Sequence, residues 1–334
     1  YEPNGEPIIN KASGYNESGF STQPDVRKTK WIEGDKDAKE SNAENTIAPA
    51  GTFNMYVNRE PRFYVSVLYN GAWYRQSSRY VDFYYAGEDG RPASGSLWDA
   101  PQTGYLLRKR VHPETNILNY SIPYRPGIIC RLAEAYLNYA EAKAELGTLT
   151  QDDLDISVNL LRDRAGMEDA HIDMDEANAN PDPYLMADVT GYPNVTKSAM
   201  TGVILEIRRE RTVELCLEGF RLFDMIRWKE GKQLTNEYHG VYFPGEGKYD
   251  LNGDGKMETA IYKDQAPSGL GLTKYKLGTD FFLTNDTEGY MWPHKDVKRT
   301  WNENRDYLWP IPTEERVLNH NLTQNPGWED GLSY

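Results

Sequence analysis

Residues 249–258, YDLNGDGKME, place oxygen-bearing side chains at alternate positions. Asp250, Asn252 and Asp254 are followed by Gly255, which permits a sharp turn, and by Lys256, whose carbonyl can act as a further ligand. This is the first half of a calcium loop. The twelfth position, where such a loop carries a bidentate Glu, is Ile261, so Glu258 or Asp264 would have to complete the shell from an irregular backbone. An Asx-turn loop with solvated carboxylates explains the same spacing. A calcium ion here would order the loop, and nothing else in the sequence requires a cofactor.

A second concentration of chemistry is aromatic. The stretch 69–87, YNGAWYRQSSRYVDFYYAG, holds seven rings in nineteen positions, where an aromatic content of 12% predicts about two. It also carries Arg75, Gln76, Arg79 and Asp82, which resist burial. The rings are therefore either half of a core or a surface facing a ligand. Sugars present flat C–H faces ringed by hydroxyls, and a Trp or Tyr ring covers such a face while polar neighbours bond the hydroxyls. The chain's 24 Tyr and 8 Trp against 9 Phe fit that use.

Other chemistries find no layout. There is no Gly-x-Ser-x-Gly, no His-Glu-x-x-His and no phosphate loop, and His112, His171, His239, His294 and His320 lack metal-ligand spacing and read as structural. The 51 acidic residues offer many pairs for glycoside hydrolysis, which only spatial separation would select. A net charge of -14 repels nucleic acid and anionic lipid. Cys130 and Cys216 sit in periodic apolar segments and read as buried thiols. No apolar run approaches the roughly 20 residues of a membrane span. The chain opens at Tyr1 without an initiator Met, a charged n-region or an apolar h-region, and reads as a fragment or a processed form.

The elements that must position these residues follow from periodicity. Residues 1–60 read as extended loop. RFYVSVLYNGAWYR predicts a β-hairpin over 62–75 about Asn70-Gly71, with Phe63, Val65 and Val67 on one face and Tyr64, Ser66 and Leu68 on the other. A second strand pair is predicted near 105–111 and 117–122. From 129 the period becomes helical, with Leu132, Tyr136, Tyr139, Ala140 and Ala144 on one stripe and Gly147 as the stop; a second helix runs from about Asp152 to Ala165. The pair suggests a tetratricopeptide-type hairpin. Residues 200–230 predict one long charged helix, and Pro310, Pro312 and Pro326 a packed irregular tail. The fold class is mainly α with irregular loops and short β-hairpins, in one domain over 1–334.

Four segments resemble the SusD/RagB family of outer-membrane lipoproteins: NREPRFYVSVLYNG (58–71), RLAEAYLNYAEAKAELG with LLRDRAGM (131–147 and 160–167), ERTVELCLEGFRLFDMIRW (210–228) and YLWPIPTEERVLNHNLTQNPGW (307–328). The resemblance implies tetratricopeptide-type helical hairpins packed against a loop-rich ligand-binding region. It implies a non-catalytic protein on the cell surface, lipid-anchored at the outer membrane through an N-terminal Cys absent here. Such a protein captures an oligosaccharide for a SusC-like TonB-dependent transporter, or a peptide in the RagB manner. It also implies a complementary N-terminal helical segment as a partner. In this family the charged helix is a structural network, here Glu210, Glu214, Glu218, Arg221, Asp224, Arg227 and Trp228, and Trp309 and Trp328 are core anchors. The glycan-stacking rings of relatives fall shortly after the segment matching PRF, which points to Trp73, Tyr74, Tyr80 and Trp98, with Arg75, Gln76 and Arg79 as polar neighbours.

Overall fold

The computed structural model describes residues 19–28, 44–74, 79–83, 87–90, 101, 104–112, 115, 120, 122–188, 191–251, 255–329 and 331. In chain order the strands are β1 Asp25–Lys28, β2 Glu44–Ala48, β3 Val67–Tyr69, β4 Trp73–Tyr74, β5 Arg79–Tyr80, β6 Tyr105–Leu107, β7 Tyr242–Phe243, β8 Gly247–Tyr249, β9 Thr259–Tyr262, β10 Thr273–Lys276, β11 Leu283–Asn285 and β12 Glu288–Met291. The helices are α1 Pro61–Ser66, α2 Leu132–Glu145, α3 Gln151–Asp155, α4 Val158–Arg164, α5 Met174–Ala179, α6 Pro183–Met186, α7 Thr201–Glu214, α8 Arg221–Arg227 and α9 Thr313–Leu318. The chain divides into two compact units, one of residues 1–132, 159–171 and 238–295, the other of 133–158, 172–237 and 296–334.

The first unit is built from small sheets: β1–β2, β3–β6 and β4–β5 pairs, and the triplets β10–β9–β8 and β11–β12–β7. They close on one aromatic-rich core of Phe53, Tyr56, Tyr69, Phe243, Tyr249 and aliphatic neighbours. The Tyr56 and Tyr69 rings lie 4.9 Å apart, tilted by 30°, and Tyr105 meets Tyr56 edge-on. Burying a phenol requires a partner for its hydroxyl. Tyr56 donates to the Gly104 carbonyl and Tyr69 to that of Ile47, both at 3.2 Å. Tyr64 donates to the Tyr56 carbonyl at 2.9 Å.

The 62–75 hairpin does not form. Pro61, whose fixed φ suits a first helical turn, opens α1, so the strand alternation expected for Phe63 to Leu68 is replaced by a helix up to Ser66. The Asn70-Gly71 turn is real, with Gly71 at φ +87°. However, the Gly71 N–H bonds the Val81 carbonyl at 2.9 Å. The chain therefore leaves the turn towards β5, and β3 takes β6 as its partner; most of 117–122, expected to pair with 105–111, lies outside the described residues.

The second unit is helical. The buried face of α2 is Ala133, Leu137, Ala140, Glu141 and Ala144, while Leu132 and Tyr139 of the expected stripe are exposed. Small alanines allow close packing there, and Glu141 must share that face to reach its partners on α8. Tyr139 instead donates to Asp153 Oδ1 at 2.5 Å. Asp153 also accepts from Lys143 and closes a capping box with Thr150 at the start of α3. The expected second helix is interrupted between α3 and α4, and the described residues show no tetratricopeptide repeat.

The long 200–230 helix is likewise two helices, broken at 215–220 by Leu217 at φ +63° and Gly219 at φ +90°. Positive φ is strained for Leu and natural for Gly. Cys130 is exposed and Cys216 half-buried, so neither is the core thiol expected. Among the described residues no helix is long and apolar enough to cross a membrane.

Candidate functional site

β4 and β5 form a two-residue antiparallel ladder in which Trp73 lies opposite Tyr80. Residues opposite each other in a ladder share a face, and the two rings meet edge-to-face with centroids 5.2 Å apart. Trp73 is half-buried and Tyr80 is 44% exposed. The ladder is anchored at its base by Asn70, whose Oδ1 accepts from the Phe83 N–H at 2.7 Å, and by the Val81 N–H bonding the Ala72 carbonyl at 2.8 Å.

Arg79 is committed to holding this ribbon. Its guanidinium contacts Glu88 Oε2 at 2.6 Å and grips both oxygens of Asp89 at 2.6 and 2.8 Å, while Asp89 also accepts from the Asp82 N–H. Burial raises the Asp89 carboxyl, but the Arg79 hydrogen bonds and that N–H outweigh it and hold the group below its usual range. Arg79 is thus a positioning residue for the Trp73–Tyr80 face. The aromatic stretch 69–87 divides: Tyr69 is core, Phe83 packs against the core, and Trp73 and Tyr80 form a surface pair. Tyr74 is placed in β4 by its backbone, and Arg75, Gln76 and Trp98 lie outside the described residues.

In the 250–258 loop, Asp250 Oδ2 accepts from the Gly255 N–H at 2.7 Å and Glu258 Oε2 from the Leu251 N–H at 2.9 Å, so both carboxylates bracket the turn. Lys256 is exposed, and Asn252 and Asp254 lie outside the described residues. Among the described residues no group of three His, Cys, Asp or Glu side chains is placed to hold a metal ion.

The charged helix residues assemble in the second unit around Asp224 and Glu141. Arg211 Nε contacts both oxygens of Asp224 at 2.9 and 2.8 Å, and Arg211 Nη1 donates to Asn138 at 2.8 Å. Arg227 bridges Asp224 to Glu141, donating to Glu141 through Nη1 and, at 2.7 Å, through Nη2; Trp228 Nε1 donates to Glu141 at 2.6 Å. Burial raises the Glu141 carboxyl, but the Arg227 and Trp228 contacts prevail and keep it below its usual range. Arg221 donates to Tyr192 and Thr212. Glu210 and Glu214 are buried on α7, and Glu218 is half-buried.

Arg208 stacks over Trp228 at 4.8 Å, donates to Glu145 at 3.1 Å and lies 3.9 Å from Glu230. These side chains border a cavity of about 520 Å³, lined by Glu141, Glu145, Asn194, Arg208, Trp228 and Glu303 among others. The sequence pattern did not single out Glu141, Arg208 or Arg211; the signal available was charge on otherwise apolar helix faces.

The C-terminal segment is clasped by polar contacts. Trp328 Nε1 donates to the Leu308 carbonyl at 2.8 Å, and Arg305 lies 4.6 Å over its ring. Gln324 and Ile311 exchange two hydrogen bonds. Trp328 is half-buried, whereas Trp309 is 72% exposed and is no core anchor; its carbonyl, held by Asn325, is what the clasp uses.

Compared with known proteins, the chain matches the SusD family model over residues 2–328. No curated protein matches it. Among solved structures it is similar to BT4246, studied as its selenomethionine form, at 23% identity and a TM-score of 0.51, covering 84% of this chain and 39% of that one. It is also similar to a SusD-like protein from Bacteroides fragilis NCTC 9343 (26% identity, TM-score 0.47, 83% and 40% covered). A SusD-like carbohydrate binding protein from the same strain gives 22% identity and a TM-score of 0.46, with 80% and 42% covered. The chain therefore spans about two fifths of the length of the structures it matches. The family pattern runs almost from end to end of the sequence, and the chain belongs to the SusD family of non-catalytic binding proteins.

Proposed function

We propose that this chain is the ligand-facing part of a binding protein at the outer-membrane surface that holds oligosaccharides, without cleaving them, for import by a SusC-like TonB-dependent transporter. The observation that carries the reading is the Trp73–Tyr80 pair: two rings with polar edges, set on one face of a ribbon that Arg79 and Asp89 keep in place. Such a face suits the C–H side of a pyranose, whose rim of hydroxyls would be met by the indole N–H and the phenol. Family membership supplies the context. A glycan array probed with the full-length protein, followed by calorimetry on the hits and a reducing-sugar assay, tests it. Saturable binding without turnover is expected; turnover, or binding to peptide mixtures and to no glycan, would replace the reading.

A calcium ion on the 250–258 loop belongs to the same proposal, supported by the spacing of Asp250, Asn252 and Asp254 with Lys256 and Glu258 beside them. Binding to the folded state alone raises the melting temperature by mass action. A melting temperature indifferent to EGTA and to millimolar calcium would remove it.

A further inference from the structure

Arg208 on α7 is buried with most of its hydrogen-bonding capacity unspent. The side chain is 5% exposed, and a guanidinium carries five N–H donors. Nη2 donates to Glu145 Oε1 at 3.1 Å, whereas Nε and Nη1 are buried with no hydrogen-bond partner among the described residues. A buried charge is stable when it is both paired and hydrogen-bonded. Here the pairing is thin: Glu145 is 36% exposed and therefore screened, and Glu230 stands 3.9 Å away with burial pushing its carboxyl up to about 7.

This arginine lines the cavity of about 520 Å³, whose walls all belong to the second unit. That volume is in the range of small-molecule sites. Trp228 gives the cavity an apolar wall, with the Arg208 guanidinium 4.8 Å and the Arg227 guanidinium 4.7 Å from its ring centroid. Lys229 adds a further cation. Its backbone turns at φ +56°, held by Asn194 Nδ2 donating to the Lys229 carbonyl at 2.7 Å, and its exposed side chain makes no ion pair among the described residues. Of the lining carboxylates, Glu141 is spent on Arg227 and Trp228, and Glu303 accepts from the Tyr307 hydroxyl at 2.6 Å.

We propose that the cavity is a binding site for a small carboxylate, which displaces Glu145, grips Nε and Nη2 of Arg208 with its two oxygens, comes within reach of Lys229 and rests its carbon body against Trp228. Nε and Nη2 share the guanidinium edge that a carboxylate engages as a fork, and Glu145 uses only one half of it. Glu145 is the last residue of α2 and exposed, so it can turn into water and yield its place to a ligand of the same chemistry. The other glutamates choose the charge of the occupant: a phosphate dianion would meet Glu141 and Glu303 with more repulsion than a monocarboxylate does. The site shares no residue with the Trp73–Tyr80 ribbon, so either reading can fail without the other.

Calorimetry on the full-length protein with propionate, alanine, propionamide and inorganic phosphate tests the site. Propionate or alanine is expected to bind saturably at millimolar concentration, and propionamide and phosphate at least tenfold more weakly. Tighter binding of alanine assigns the ligand to amino acids, their ammonium facing Glu303, and tighter binding of propionate assigns it to simple organic acids. Arg208→Lys, which keeps the charge and loses the fork, should abolish binding. Lys229→Gln should weaken it several-fold, and Glu145→Gln, which removes the competing charge, should tighten it several-fold. Should Arg208→Lys melt early, the opposite responses at those two exposed positions decide. The proposal is overturned if propionate and alanine fail to bind at tens of millimolar, if propionamide or phosphate binds as well as they do, or if Lys229→Gln and Glu145→Gln both leave the affinity unchanged.

Discussion

Arg211 and Asp224 face each other across the break between α7 and α8, with the guanidinium Nε 2.8 and 2.9 Å from the carboxylate oxygens and both side chains 5% exposed. They are 13 residues apart. In one unbroken helix a rise of 1.5 Å per residue would separate them by ~20 Å, so the ion pair exists because the helix turns back at Leu217 and Gly219. Asp224→Ala would leave Arg211 charged and buried beside Asn138, and is expected to cost about 3–5 kcal/mol, the range for breaking a buried pair from one side. Urea unfolding checks this; a loss below ~1 kcal/mol would mean that water reaches the pair.

For the ribbon, Trp73→Ala and Tyr80→Ala are each expected to weaken binding of an array-identified oligosaccharide by ~1 to 3 kcal/mol, the range lost with a stacked aromatic. Melting temperatures should hardly move, since neither ring belongs to the core. Early unfolding, or undiminished binding in both variants, would make the pair mere packing.

Asp153 staples α2 to α3. The Tyr139 hydroxyl, Lys143 and Thr150 all favour its ionised form and hold its carboxyl far below the usual range. With the folded value depressed, this contribution is present above the unfolded carboxyl's ordinary value of about 3.9 and is lost as pH falls through the lower folded value. Asp153→Asn should therefore melt below the parent from pH 5 to 7, and the gap should narrow towards pH 2. A gap independent of pH would show that the charge is immaterial.

Glu230 behaves oppositely. Burial pushes it up to about 7, against the Asn194 N–H and the charge of Arg208. The folded state then holds a proton that the unfolded state has released, so stability falls as pH rises from the ordinary carboxyl value of about 4.3 to about 7. Glu230→Gln keeps an oxygen for the Asn194 N–H and should flatten that slope, melting higher than the parent at pH 8 with little difference near pH 4. An unchanged slope would overturn this.

What the sequence made legible was identity of segments more than their geometry. The four signature stretches sufficed to place the chain in its family, because they encode mutual contacts such as Trp228 with Glu141 and Trp328 with Leu308. Geometry failed where one long-range partner outweighed local period. The strand-like run at Phe63 to Ser66 became α1 because Pro61 starts a helix and β3 was needed by β6. The stripe of α2 rotated away from Tyr139 because Glu141 had to meet Arg227. Aromatic density marked the stretch that carries the Trp73–Tyr80 pair, but that density could not say that Tyr69 would be buried and Tyr80 exposed. That division depends on which strand each residue pairs with.

The break between α7 and α8 also bears on the order in which the second unit assembles. Arg211–Asp224 closes a separation of 13 residues and Arg227–Glu141 one of 86. Loop-closure entropy grows as (3/2)RT ln n, so the longer contact costs ~1.7 kcal/mol more to reach from the open chain. The α7–α8 elbow can therefore consolidate as a local nucleus on which α2 docks later. In stopped-flow experiments Asp224→Ala should slow folding, whereas Glu141→Ala should chiefly speed unfolding; equal slowing of folding by both would reverse that order.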